Sequence, residues 1–160
     1  MNRNAQHYIQ KLDLEPHPEG GFYKRIYQSP LHCQTPNGQR PLSTSIHYLL
    51  ESKDFSAWHR IKSDELWYFN DGADLNIHTL SQSGQLQTHC LGKNQHMNLC
   101  IGANTWFCAE LTTDSSGTFT LVSCMVSPGF DFEDFELGQR EDLVSLYPQH
   151  RDIICRLCRA

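Results

Sequence analysis

Residues 58–72 read WHRIKSDELWYFNDG. His59 is followed by Glu65 and then Gly72, with Trp58, Trp67, Tyr68 and Phe69 around them. Strands over 57–61 and 65–70, joined by a turn at KSD, account for the pattern. Strand periodicity then puts His59 and Ile61 on one face, and Glu65, Trp67 and Phe69 on one face of the next strand. If both faces look into a barrel, an imidazole and a carboxylate meet inside it. Such groups are costly in a dry cavity unless paired or liganded. They suit two tasks, metal binding and proton transfer.

Outward from this stretch, short strand-like runs continue in both directions. GFYKRIYQ, LSTSIHYLL, LNIHTL, QLQTHCL, HMNLCI, TWFCAEL and TFTLVSCMV are separated by turn signals such as TPNGQ, ESKD, SQSGQ and GKN. Many short strands without intervening helices predict an antiparallel sandwich or barrel. Tyr8, Ile9 and Leu12 stand at helical spacing near the start, and the apolar groups Leu143–Tyr147 and Ile153–Leu157 predict helices at the end. EPHPEGG (15–21) reads as a shaped loop, either a glycine turn or a device that brings Glu19 to a pocket mouth. PGFDFEDFELG (128–138) alternates Phe with acids, as an edge with buried Phe side chains or as a pocket lid.

The chain has 160 residues, 39% of them hydrophobic and 19% charged, which fits one domain over 1–160, its strand-rich core about 21–137. A net charge of −5 and the lack of a basic stripe argue against a nucleic-acid partner. No apolar run reaches membrane-spanning length, and MNRNAQHYIQ is too polar for a signal peptide. Seven Cys in no framework spacing then read as reduced thiols in a cytoplasm. CRLC (155–158) reads as two Cys on a helix rather than a redox or zinc site.

The run His59-x-Ile61-x3-Glu65-x6-Gly72 resembles the first motif of the cupin superfamily, G-x5-H-x-H-x3,4-E-x6-G. Ile61 replaces the second His, and Lys53 stands where the leading Gly belongs. The second motif is nearly erased: in GANTWF, Gly102, Asn104 and Phe107 occupy the Pro, Gly and His positions. PHPEGGFYKRIYQS (16–29) and LVSCMVSPGFDFEDFEL (121–137) resemble the flanking signatures of one cupin branch, domain of unknown function 985 or the fifth cupin family. The resemblance implies a mainly β, cupin-type double-stranded β-helix (jelly roll), with a short N-terminal helix and C-terminal helices. It also implies a homodimer, since an open jelly-roll edge invites pairing.

Metal cupins use three His and one Glu. Here His59 and Glu65 alone would remain as ligands, with His47, His78 or Glu110 as candidate substitutes. No cofactor is therefore expected, with a divalent metal on His59 and Glu65 as the alternative. Sugar-nucleotide epimerases of the same fold use no metal; a His at the first motif position is their base and a Tyr their acid. By that resemblance His59, Glu65 and Tyr48 are the catalytic candidates. Glu19, Tyr23, Arg25, Trp67, Trp106, Phe107 and Phe130 are the candidates for binding a small polar ligand, anionic or carbohydrate-like. Metal-independent isomerisation or epimerisation is the leading expectation. A metal-dependent cupin enzyme and a non-catalytic binding or storage module are the alternatives.

Overall fold

The computed structural model describes residues 4–159. Helix α1 (Ala5–Lys11) opens the chain, with the Asn4 side chain accepting from the His7 N–H at 2.9 Å. Its apolar side packs Tyr8, Ile9 and Leu12 against Leu49, Phe119 and Leu121.

Thirteen strands follow among the described residues. Six form one sheet in the order β1 (Glu15–Pro16), β2 (Phe22–Gln28), β5 (Thr44–Glu51), β12 (Phe119–Ser127), β7 (Asp64–Gly72) and β10 (Asn98–Ile101). Five form the second, in the order β13 (Phe135–Leu137), β6 (Phe55–Ile61), β11 (Trp106–Leu111), β8 (Leu75–Leu80) and β9 (Leu86–Leu91). The hairpin of β3 (His32–Thr35) and β4 (Gly38–Pro41) stands apart as a third sheet. All ladder pairings are antiparallel, as in a jelly roll.

Two cores follow from the alternation of side chains across the second sheet. Inward residues, Phe107 and Ala109 of β11 with Leu75 and Ile77 of β8, meet Tyr48, Leu50, Trp67 and Val122 of the first sheet. Outward residues, Trp58, Leu80, Trp106 and Cys108, are covered by α2 (Arg140–Leu146) and α3 (Arg151–Leu157) through Leu143, Ile154 and Leu157. Each fully buried Leu or Ile there stabilises the fold by about 1.5–3 kcal/mol. Trp58, fully buried, thus packs within its own chain. Leu146, grouped with the apolar helix face on sequence, is 63% exposed. No helix is long and apolar enough to cross a membrane.

The β3–β4 hairpin and the PGFDFEDFELG segment were not read as strands from the sequence. They are tied together by a buried pair, in which Arg40 Nε and Nη2 donate to the two Asp134 oxygens at 2.8 and 3.1 Å. Asp134 ends the 3₁₀ turn Phe132–Asp134, after which β13 joins β6 beside His59.

Candidate active site

The pocket opens between the two sheets, lined by residues of β2, β5, β6, β7 and β12, of the 15–21 loop and of the Phe-rich segment. Strand alternation brings His59 and Ile61 of β6, and Glu65 and Trp67 of β7, to its wall. Tyr48 lines it from β5 and Tyr23 and Arg25 from β2, with Phe130 and Phe135 as an apolar side.

The loop before β2 delivers Glu19. Gly20 and Gly21 turn the chain with φ of 115° and 72°. A Cβ on Gly21 would sit 2.6 Å from the Leu49 carbonyl oxygen, so only glycine fits there. The turn and the inward reach of Glu19, alternatives on sequence, are one structure. Glu19 is 6% exposed; its Oε1 accepts from Ser56 Oγ at 2.7 Å and its Oε2 lies 3.1 Å from His59 Nε2. Asp54 holds the turn by accepting the Gly21 N–H at 2.9 Å, and Arg159 Nη2 donates to Asp54 Oδ1 at 2.6 Å.

The His59 ring is assigned by its partners. Its Nδ1 lies 2.7 Å from the Ala57 carbonyl oxygen, which can only accept, so Nδ1 carries a hydrogen. Nε2 faces the Glu19 carboxyl within hydrogen-bonding reach. His17, which the sequence reading left as a loop residue, also lines the pocket. Its Nδ1 accepts from the Glu19 N–H at 3.2 Å. Burial pushes His17 below the usual imidazole range, aided by His59 and opposed by Glu19, so the ring is neutral with Nε2–H. The missed signal was H-x-E immediately before two glycines.

Glu65 has the opposite fate. Burial, reinforced by the charge of Glu19, raises its carboxyl from 4.5 to about 8. The Cys124 thiol and the Trp67 indole N–H lie close enough to soften that rise. The Trp67 Nε1–H, buried in the wall, completes no hydrogen bond with any protein group. At neutral pH Glu65 is thus a carboxylic acid facing the same pocket as the Glu19–His59 pair.

Other candidates take other places. Tyr48 lines the pocket, but its hydroxyl donates to the Gly20 carbonyl at 2.7 Å, and burial raises it well above the usual phenol range. Arg25 sits exposed at the rim, donating to Gln28 Oε1 at 3.0 Å and to the Phe130 carbonyl at 3.4 Å. Phe107 lies behind His59, ring centroids 4.1 Å apart, and outside the lining. Trp106, one residue earlier on β11, faces the C-terminal helices and carries the Arg60 guanidinium 4.5 Å above its ring.

The donor set does not fit a metal centre. Ile61 and Phe107 offer no ligand atoms, and both His59 nitrogens have partners. His78 and Glu110 bind each other at 2.9 Å on the outer face of the second sheet. Among the described residues no group of three or more His, Cys, Asp or Glu is arranged to hold an ion.

A jelly-roll barrel with polar residues from the first-motif strands in its mouth defines a cupin. The family model described as Cupin superfamily (DUF985) matches residues 6–138, and the chain belongs to that family. It is similar to a Shewanella oneidensis protein, at 38% identity over 99% of both chains with a TM-score of 0.90. A hypothetical protein from Leishmania major is 28% identical, over 99% of this chain and 100% of that one, with a TM-score of 0.93. A Bacillus subtilis oxalate decarboxylase shares the fold alone, with 12% identity, a TM-score of 0.57, and 91% of this chain matching 38% of that one. No curated protein matches the sequence.

Proposed function

We propose that the chain binds a small carbohydrate-like metabolite in its barrel and moves a proton on it without a metal, as an isomerase or epimerase does. The observation that carries this reading is the pairing of opposites in one pocket. Glu65 is held protonated, while Glu19 and His59 form a close imidazole–carboxyl pair in the same pocket. Titratable groups whose environments push them apart are what acid–base catalysis needs at neutral pH.

The ligand class follows from the hydrogen-bonding groups of the pocket: the Glu19–His59 pair, protonated Glu65 and neutral His17. Phe130 and Phe135 supply a flat apolar side against which the C–H face of a sugar can lie. The exposed Arg25 at the rim suits an anionic substituent that stays at the mouth.

The test is solvent exchange. A panel of aldoses, ketoses and sugar nucleotides is screened by ligand-induced rise in Tm, and each binder is incubated with the protein in D2O and followed by NMR. The expected result is deuterium at one ligand carbon, with the rate unchanged by EDTA and abolished in Glu19→Gln. Binding with no exchange would make the chain a binding module. About one metal ion per chain by elemental analysis, lost in His59→Ala, would replace this reading with a metal-dependent one.

A further inference from the structure

Two hydrogen-bond donors in the pocket wall are left without a use by acid–base chemistry alone. Glu65 and Trp67 stand two residues apart on β7, on its inward face, and both line the cavity. Trp67 is 1% exposed, yet its Nε1–H meets no acceptor in the protein. A buried, unmade hydrogen bond of this kind is destabilising and needs a reason. Glu65 is 7% exposed, and as a carboxylic acid at neutral pH it offers an O–H as a second donor to the same space.

We infer that Glu65 and Trp67 form a binding site for a carbonyl oxygen that becomes an oxyanion, and that the ligand is therefore a carbonyl compound with an acidic C–H beside the carbonyl, such as a keto sugar. The inference rests on the proton-transfer reading above and narrows it to enolisation. The C–H bond next to the carbonyl breaks, its proton passes to the Glu19–His59 pair, and its electron pair moves onto the carbonyl oxygen. That oxygen, now an enolate, takes the Trp67 N–H and the Glu65 O–H. Protonation of the enediolate at the former carbonyl carbon, with the neighbouring hydroxyl proton passing to the other oxygen, completes an isomerisation. Protonation of the original carbon from the opposite face completes an epimerisation. Neither needs an oxidant or reductant. Preorganised donors aimed at the developing charge are usually the largest electrostatic contribution to such a step. A carboxylic acid kept neutral by an apolar site is one known way to build them.

The titratable and charged groups that share the pocket with Glu65 are His17 and Glu19 of the loop, Tyr23 and Arg25 of β2, Tyr48 of β5, His59 of β6 and Cys124 of β12. Glu19 is the charged neighbour that disfavours ionisation of Glu65, while Arg25 is solvated at the rim.

Phenolates test the site without knowledge of the substrate, because each presents a single oxyanion on a flat ring. A series of substituted phenols, all ionised at neutral pH but graded in basicity, is titrated into the protein. Affinity is expected to rise with phenolate basicity and to fall as the pH is raised through about 8. Glu65→Gln keeps a donor and cannot ionise, so it is expected to retain affinity and lose that fall. Trp67→Phe keeps the ring and removes the N–H, and is expected to bind about tenfold more weakly, the worth of one hydrogen bond to a charged group. Affinity that ignores phenolate basicity, or a fall with pH that persists in Glu65→Gln, overturns the assignment. So does phenolate binding unchanged in a folded Trp67→Phe. Should that variant not fold, the Glu65→Gln arm decides alone. The parent reading fails separately: a D2O experiment with no exchange on any ligand, beside intact phenolate binding, sinks proton transfer but not the oxyanion site.

Discussion

Two histidine–carboxylate pairs, His59–Glu19 and His78–Glu110, stand on opposite sides of the second sheet and do different things. On the outer face, His78 Nε2 lies 2.9 Å from Glu110 Oε1, and His78 Nδ1 lies 2.8 Å from Thr88 Oγ1. Arg156 of α3 reaches both Glu110 oxygens. Burial pushes Glu110 up, but hydrogen bonds from His78 and Arg156 outweigh it and hold the carboxyl at about 2. Both His78 nitrogens and both Glu110 oxygens have partners, so this cluster fastens a helix to a sheet. Inside the barrel, the basic partners of the Glu19 carboxyl are histidines, His59 and His17, with no Arg or Lys bound to it among the described residues. His59 and Glu19 face a second carboxyl and an indole N–H with no acceptor. Pair geometry alone therefore does not mark a site; what remains unsatisfied around the pair does.

Four substitutions would break or sharpen this contrast. Glu19→Gln removes the proton acceptor of the inner pair and is expected to slow deuterium exchange by at least about 100-fold, with Tm changed little. Glu110→Gln, the matching change outside, should leave exchange untouched.

Glu65→Gln comes next, and its readout is stability against pH. The folded-state pKa of about 8 lies above the ordinary 4.5, so the unfolded chain loses this proton first. Wild-type stability should then decline as pH rises from about 4.5 to 8 and level off beyond. The variant should lack that decline and be more stable at pH 8 by roughly 1–3 kcal/mol in urea unfolding. Equal slopes in the two proteins would show Glu65 to be ionised throughout.

Glu110 has the opposite sign. Its folded-state pKa lies below 4.5, so its contribution is present above that pH and lost as the solution is acidified toward 2. Glu110→Gln should cost about 1–3 kcal/mol at neutral pH and flatten the acid limb. Thr88→Val is the smallest change, about 0.5 kcal/mol, since Thr88 is exposed and its bond to His78 competes with water.

Strand alternation made much of this legible. Reading 58–72 with period two put His59, Ile61, Glu65 and Trp67 on inward faces, and all four line the pocket. The same rule exposes an inconsistency on β11. Trp106 and Phe107 are adjacent and cannot both look inward; Phe107 backs His59 while Trp106 turns to the helices. The partner of His59 was not legible, because Glu19 lies forty positions upstream and reaches the ring only through the path set by Gly20 and Gly21. Nor was the neutrality of Glu65, which depends on how many groups surround it. The buried Arg40–Asp134 pair escaped notice for the same reason, with its partners 94 residues apart.

Arg159 carries a consequence for where the working unit ends. Its guanidinium lies over the Phe55 ring at 3.9 Å and donates to Asp54, to the Phe55 carbonyl and to the Glu19 carbonyl. It thus braces the turn that aims the proton acceptor, from a segment past the residues 6–138 that carry the family pattern. Homology and mechanics draw different boundaries here. A fragment trimmed to the shared pattern would uncover Trp58 and release the Glu19 turn, keeping the pocket's chemical groups while losing their alignment.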